Sequence, residues 1–192
     1  MRLFVALGLP GVVVEELHSV TAGLRSRVPG LRWTRPEQWH LTLAFVGEVD
    51  GDVVAELARR LHRAAGRHPP LTLALSGGGR FGHRVLWTGV QGDRDGLRRL
   101  AASAAAAARR CGLPGQHESY RPHLTLARAS GEADLRPLVD QLRPWTGSPW
   151  VASRIQLMRS HLGAGQEGAA VHELISGWPL SGQRKSSGKS AD

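Results

Sequence analysis

One cysteine, Cys111, stands in 192 residues, so no intramolecular disulfide can form and no cysteine-based metal site is on offer. Placed just after an alanine-rich stretch, Cys111 reads as a passive helix-end residue rather than a nucleophile. Lysine is missing until Lys185 and Lys189. Long apolar runs are missing too. Leu3 to Leu9 is a short run without the h-region and cleavage site of a signal peptide, and no stretch approaches the roughly 18 apolar residues of a membrane span. These absences exclude a disulfide scaffold and predict a cytoplasmic protein with no membrane partner.

What is present is enough chain, at 41% hydrophobic residues, for one medium domain or two small lobes around a buried core. The formal charge is +9. The stretch from Ser181 to Asp192 holds about +2 of it and the body about +7, all of the body's basic side chains being arginine. Arginine suits forked contacts with phosphate, although coding bias toward arginine would give the same skew. Whatever its origin, a positive surface favours polyanionic partners such as RNA.

The chain is built around a stretch written twice: His40-Leu41-Thr42-Leu43-Ala44 and His123-Leu124-Thr125-Leu126-Ala127. In a strand, alternate side chains share a face, so His and Thr of each copy point one way and the leucines the other. The contexts repeat as well. Arg35-Pro36 precedes the first copy and Arg121-Pro122 the second, while Gly47-Glu48-Val49-Asp50 is answered by Gly131-Glu132-Ala133-Asp134. An internal duplication follows, in which two similar units each bring one imidazole and one hydroxyl to a shared cleft.

Strands are predicted over Arg2 to Gly8, Leu31 to Thr34, Trp39 to Val46, Leu71 to Leu75, Val85 to Val90, His123 to Arg128, Trp150 to Ser160 and Ala169 to Ile175. Gly77-Gly78-Gly79 reads as a loop. Helical patterns run from Pro10 through Val14, Leu17, Val20 and Leu24, from Asp50 or Asp52 to Ala65, from Asp93 to Arg110, and from Asp134 to Leu142, interrupted or begun at Pro137. Seven or eight strands and four helices make an α+β fold. Residues 1–180 are expected to form one bilobal domain. Ser181 to Asp192, nearly devoid of apolar side chains, is expected to be a disordered basic tail.

Two histidines could be metal ligands, but zinc takes three or four, the third motif position is Thr, and no His-x-His or His-Glu-x-x-His cluster occurs. A serine nucleophile lacks its Gly-x-Ser-x-Gly turn. A structural pair of strand histidines would not account for the repetition. General acid/base chemistry does: one imidazole can deprotonate an attacking water while the other protonates a leaving oxygen, with Thr42 and Thr125 donating to phosphate oxygens. No cofactor is called for.

His-x-Thr-hydrophobic written twice resembles the 2H phosphoesterase superfamily. The closest likeness is its bacterial RNA 2′,3′-cyclic phosphodiesterase branch, also called the RNA 2′-5′ ligase family. Met1 to Leu7, Arg32-Trp33, Val85-Leu86-Trp87 and Leu157-Met158-Arg159-Ser160 look like that branch in the same order, so the likeness covers roughly residues 1–180. It implies a two-lobed, pseudo-symmetric fold of mostly antiparallel sheets, with helices outside and a central groove. It also implies metal-independent hydrolysis of RNA 2′,3′-cyclic phosphate ends to 2′-phosphomonoesters, with His40 as proton donor and His123 as acceptor, and reversible 2′-5′ RNA ligation.

The expected partner is RNA with such ends, tRNA fragments being one form, or a small cyclic phosphate, met by a monomer. Hydrolysis of a 2′-5′ linkage and a non-catalytic RNA-binding role are the alternatives. In similar proteins the positions of Phe45 and Arg128 contact base and phosphate. Strict alternation puts both on the face opposite the histidines, so either the strand ends or bulges before them, or these residues serve core and surface. Trp33 and Trp39 read as core aromatics and Arg121 as solvated. The family often has an aromatic near the last strand, and Gln166 to Val171 holds none.

Overall fold

The computed structural model describes residues 1–115, 120–165 and 168–183. Short apolar runs, continuous in the first strand and alternating in others, yield β1 (Arg2–Leu7), β2 (Leu31–Trp33), β3 (Leu41–Glu48), β4 (Leu71–Phe81), β5 (Val85–Gly92), β6 (His123–Ala129), β7 (Trp150–Ala152), β8 (Arg154–His161) and β9 (Val171–Pro179). They form two antiparallel sheets, one ordered β3-β1-β8-β9 and the other β2-β6-β5-β4-β7. Each sheet holds one copy of the repeated motif, in β3 and β6. The fold is α+β, as the sequence predicts, with one strand more than its upper count. Trp150 to Ser160 is two strands: β7 pairs with β4, the chain turns at Ser153, and β8 pairs with β1 in the other sheet.

The helices are α1 (Gly11–Ala22), α2 (Gly51–Ala65), α3 (Arg94–Arg109) and α4 (Arg136–Leu142). They close over the sheet faces with their apolar sides. On α3 the buried side is Leu97, Leu100, Ala101, Ala104, Ala105 and Ala108, and the small alanines let it lie close on β3. The Asp93 carboxylate caps it by accepting the Gly96 N–H at 2.8 Å. Asp50 holds the N-cap position of α2 without a side-chain cap bond. Pro137 lies in the first turn of α4, where a missing N–H costs nothing. The helical pattern read through to Leu24 ends at Ala22, with Leu24 buried in the turns that follow.

Gly77, Gly78 and Gly79 are not a loop; they lie inside β4. The reason is crowding. A Cβ on Gly79 would sit 2.1 Å from the Trp87 ring of the neighbouring strand, and one on Gly78 would sit 2.6 Å from Leu142 of α4. Gly77 has φ +64° at the register shift between Ser76 and Gly78. Glycine composition here marks close approach within a sheet.

Of the expected tail only 181–183 are described, with the Gly182 N–H donating to the His68 carbonyl at 2.9 Å; 184–192 lie outside the described residues. The close approach over β4 gives a direct test. Gly79→Ala should cost about 1–3 kcal/mol through overpacking and lower the melting temperature by several degrees. Gly131→Ala, whose Cβ would meet open space, should leave it unchanged. Equal thermal unfolding curves for the two variants would contradict this account.

Candidate active site

β3 and β6 carry the two motif copies, and the same irregularity occurs in each. Opposite Val5 and Ala6 of β1 stand Ala44 and Thr42, so Leu43 is extra. Opposite Leu86 and Trp87 of β5 stand Ala127 and Thr125, so Leu126 is extra. Each is a β-bulge, which turns the strand by one residue and lets two successive apolar side chains go to the core. Leu43 and Ala44 are both buried, as are Leu126 and Ala127. Beyond the bulge the alternation resumes on the other foot, and Phe45 and Arg128 return to the face that carries His and Thr. The two alternatives left open by the sequence are thereby decided in favour of the bulge.

Each motif histidine is held by its own chain. Nδ1 of His40 lies 2.7 Å from the Gln38 carbonyl, and Nδ1 of His123 lies 2.8 Å from the Arg121 carbonyl. A carbonyl only accepts, so both imidazoles carry a proton on Nδ1, and Nε2 is the nitrogen left for chemistry.

Cross-ties hold the two copies together. The Thr34 hydroxyl donates toward the Thr125 and Leu126 carbonyls at 2.8 and 2.9 Å and accepts from the Trp39 indole at 2.9 Å. The Tyr120 hydroxyl donates to the Thr42 carbonyl at 3.1 Å. Burial pushes that phenol's pKa up, which keeps it a neutral donor.

His40, Thr42, Phe45, His123, Thr125 and Arg128 all line one cavity of about 760 Å³ between the sheets. Its described lining includes Arg2, Arg32, Arg35 and Arg128 and no carboxylate. Arg32 and Arg128 face each other across β2 and β6. Burial, then the Arg32 charge, pulls the Arg128 pKa below its usual value. A site that gathers like charge at this density is complementary to an anion.

Burial lowers the His40 pKa to about 4, with the neighbouring His172 adding to the effect. Burial also lowers that of His123; the Arg121 carbonyl opposes the shift, and the Arg128 charge pushes the same way as burial. Both rings are therefore neutral near pH 7. Among the described residues no three His, Cys, Asp or Glu converge as a metal ion requires.

Trp39 is a core aromatic as expected. Trp33 packs partly buried against the core, as expected, and also lines the cavity, with Arg25 stacked at 5.7 Å from its ring centre. Arg121 is exposed, yet its carbonyl orients His123. Three contributors were not singled out by the sequence: Gln38, Arg32 as a groove side chain, and His172 on β9. Gln166 and Glu167 lie outside the described residues, and His172, one residue past the stretch that lacks an aromatic, lines the cavity from β9.

The model of the 2′-5′ RNA ligase superfamily matches residues 13–164. A Geobacillus stearothermophilus RNA 2′,3′-cyclic phosphodiesterase is 28% identical over 184 residues, 93% of this chain. This chain spans only 57% of that relative's length. The Escherichia coli RNA 2′,3′-cyclic phosphodiesterase is 36% identical over 135 residues, covering 69% of this chain and 74% of that protein. The crystal structure of TT0787 of Thermus thermophilus superposes with a TM-score of 0.78 at 28% identity, covering 96% of this chain and all of that one.

The burial of His40 has a consequence for pH. In the unfolded chain an imidazole takes up its proton near 6.5, whereas folded His40 holds out until about 4. Stability from this group is therefore complete above about 6.5 and lost as pH falls toward about 4. Thermal unfolding between pH 7 and 4.5 should show a shallower loss in His40→Phe than in the wild-type protein. Parallel curves would show that burial of this ring is not the source.

Proposed function

This chain belongs to the 2′-5′ RNA ligase superfamily, and on that premise we propose that it hydrolyses RNA 2′,3′-cyclic phosphate ends to 2′-phosphomonoesters by two-histidine acid/base catalysis. One observation carries the reading: two imidazoles, each fixed through Nδ1 to a backbone carbonyl, leave Nε2 to a single arginine-lined groove. The names of the Geobacillus and Escherichia relatives point the same way.

In this mechanism water enters in line with the bond from phosphorus to the 3′ oxygen. Nε2 of His123 takes the water's proton as the new P–O bond forms. Nε2 of His40, protonated at the start, gives its proton to the departing 3′ oxygen. Thr42 and Thr125 donate to nonbridging oxygens as charge builds there, and Arg128 holds the phosphate. Phe45, 54% exposed at the groove edge, offers its ring to the base.

The electrostatics favour the role of His123 and burden that of His40. His123 has a permanent cation, Arg128, acting on it, which favours the neutral ring a base must be. His40 is held down first by burial and by other imidazoles, a handicap that an arriving phosphate anion offsets. With an RNA 5′-hydroxyl in place of water, the same displacement joins RNA ends through a 2′-5′ bond: His123 takes the hydroxyl proton, the P–O3′ bond breaks and the 3′ oxygen receives the proton of His40.

All of these groups come from one chain, so a monomer suffices. The reading takes residues 1–180 as one bilobal domain, RNA with cyclic ends as the partner, tRNA fragments being one form, and the cytoplasm as the compartment. A small cyclic phosphate would fit the same chemistry.

The test is an oligonucleotide ending in a 2′,3′-cyclic phosphate. A 2′-phosphomonoester should form, at an undiminished rate in EDTA. A rate abolished by chelation and restored by a divalent ion would overturn the two-imidazole mechanism. His40→Ala and His123→Ala should each lose about 10² to 10⁴-fold in turnover. The double variant should be hardly worse than either, because the two groups act as a unit. Thr42→Ala and Thr125→Ala should lose less. RNA binding retained with no turnover in the wild-type protein would favour a binding module.

A further inference from the structure

The duplication is broken in the rings that surround the two motif imidazoles. Around His123 the neighbouring rings are Phe81 and Trp87, at 4.9 and 6.1 Å between centres. Around His40 they are Phe4 and a third imidazole, His172, at 4.7 and 5.2 Å. His172 stands at 87° to His40, and Phe4 backs both rings. Gln38 fixes the arrangement: its backbone carbonyl holds His40, while its side-chain N–H donates to the Ala170 carbonyl at 2.8 Å, two residues before His172.

The proton of His172 sits differently from the other two. Its Nδ1 is buried with no hydrogen-bond partner, and a proton there would be a buried donor with nothing to accept it. The neutral ring therefore carries its hydrogen on Nε2, the opposite tautomer to His40 and His123. The cation, which needs both N–H groups, is disfavoured for the same reason. The half-buried ring lines the cavity, and Nε2–H is the end that the enclosed nitrogen leaves to it.

We propose that His172 is a third substrate-contacting imidazole, a neutral donor that gives its Nε2–H to a phosphate oxygen on the His40 side of the groove. The inference rests on the phosphodiesterase reading and adds a binding residue to it. As a neutral donor it holds the phosphate beside His40 without placing a second positive charge against the ring that must carry the catalytic proton. Sequence repetition could not reveal it, since the second half has Trp87 and Phe81 in that setting.

Two variants separate donation from packing. His172→Phe keeps a ring against Phe4 and His40 but has no donor; His172→Gln keeps an N–H at similar reach but has no ring. Turnover on the cyclic-phosphate oligonucleotide and calorimetric binding of adenosine 2′-monophosphate should both fall about 10- to 100-fold in the Phe variant, the range of one hydrogen bond to a charged group. The Gln variant should stay within roughly threefold of wild type on the same scale.

A Phe variant equal to wild type, or a Gln variant as weak as the Phe variant, would overturn the proposal. Nitrogen-15 NMR of the unaltered protein gives an arm that needs no variant: His172 should show the Nε2–H tautomer, and the Nδ1–H form would overturn it. If the wild-type protein failed to turn over the cyclic end while the Phe variant still bound adenosine 2′-monophosphate more weakly, the phosphodiesterase reading would fall and the His172 contact would stand.

Discussion

The site depends on a hydrogen bond that spans two residues, from each motif imidazole back to the carbonyl of Gln38 or Arg121. It sets the tautomer and the ring plane with local backbone alone, so the rings need no carboxylate to orient them. That matters in a groove whose described lining holds no carboxylate. A carboxylate beside either ring would stabilise its charged form and oppose an incoming phosphate. A neutral carbonyl orients the ring without adding charge. The larger architecture, two antiparallel sheets tied by Thr34 and Tyr120, brings two such locally prepared units to face one another.

The duplication is unequal in its details. The bulge repeats at Leu43 and Leu126, yet the next groove position is a phenyl ring in one half and a guanidinium in the other. One side of the cleft thus offers a surface for stacking and the other a charge for phosphate. A symmetric pair of imidazoles placed between unlike walls no longer has two equivalent ways to hold an asymmetric nucleotide. In the proposed mechanism the orientation of the substrate then assigns the acid and the base.

The repeated His-x-Thr pair, the α+β class and most elements were legible because they rest on local periodicity and on repetition within one chain. The side of the strand taken by Phe45 and Arg128 was not, since strict alternation assumes an unbroken ladder. Its signal was there in the successive apolar pairs Leu43-Ala44 and Leu126-Ala127, which no regular half-buried strand needs. The glycine run in β4 misled because composition does not tell a turn from a strand pressed by Trp87 and Leu142. The split at Ser153 depends on which sheet edge is free, a fact of the whole fold. His172 stands once in the chain, and its relation to His40 exists only through the pairing of β9 with β8.

The order of strands also governs when a finished site can exist during synthesis. β2 sits in the sheet with β6, nearly a hundred residues later, and β1 pairs with β8, so that Leu3 lies opposite Arg159. Neither half of the duplication closes its own sheet. A nascent chain that has emerged as far as His123 owns both imidazoles but not the wall of β8 and β9 that encloses His40, and such distant pairings form slowly. The groove that His40 shares with β8 and β9 can therefore be assembled only once β9 has left the ribosome.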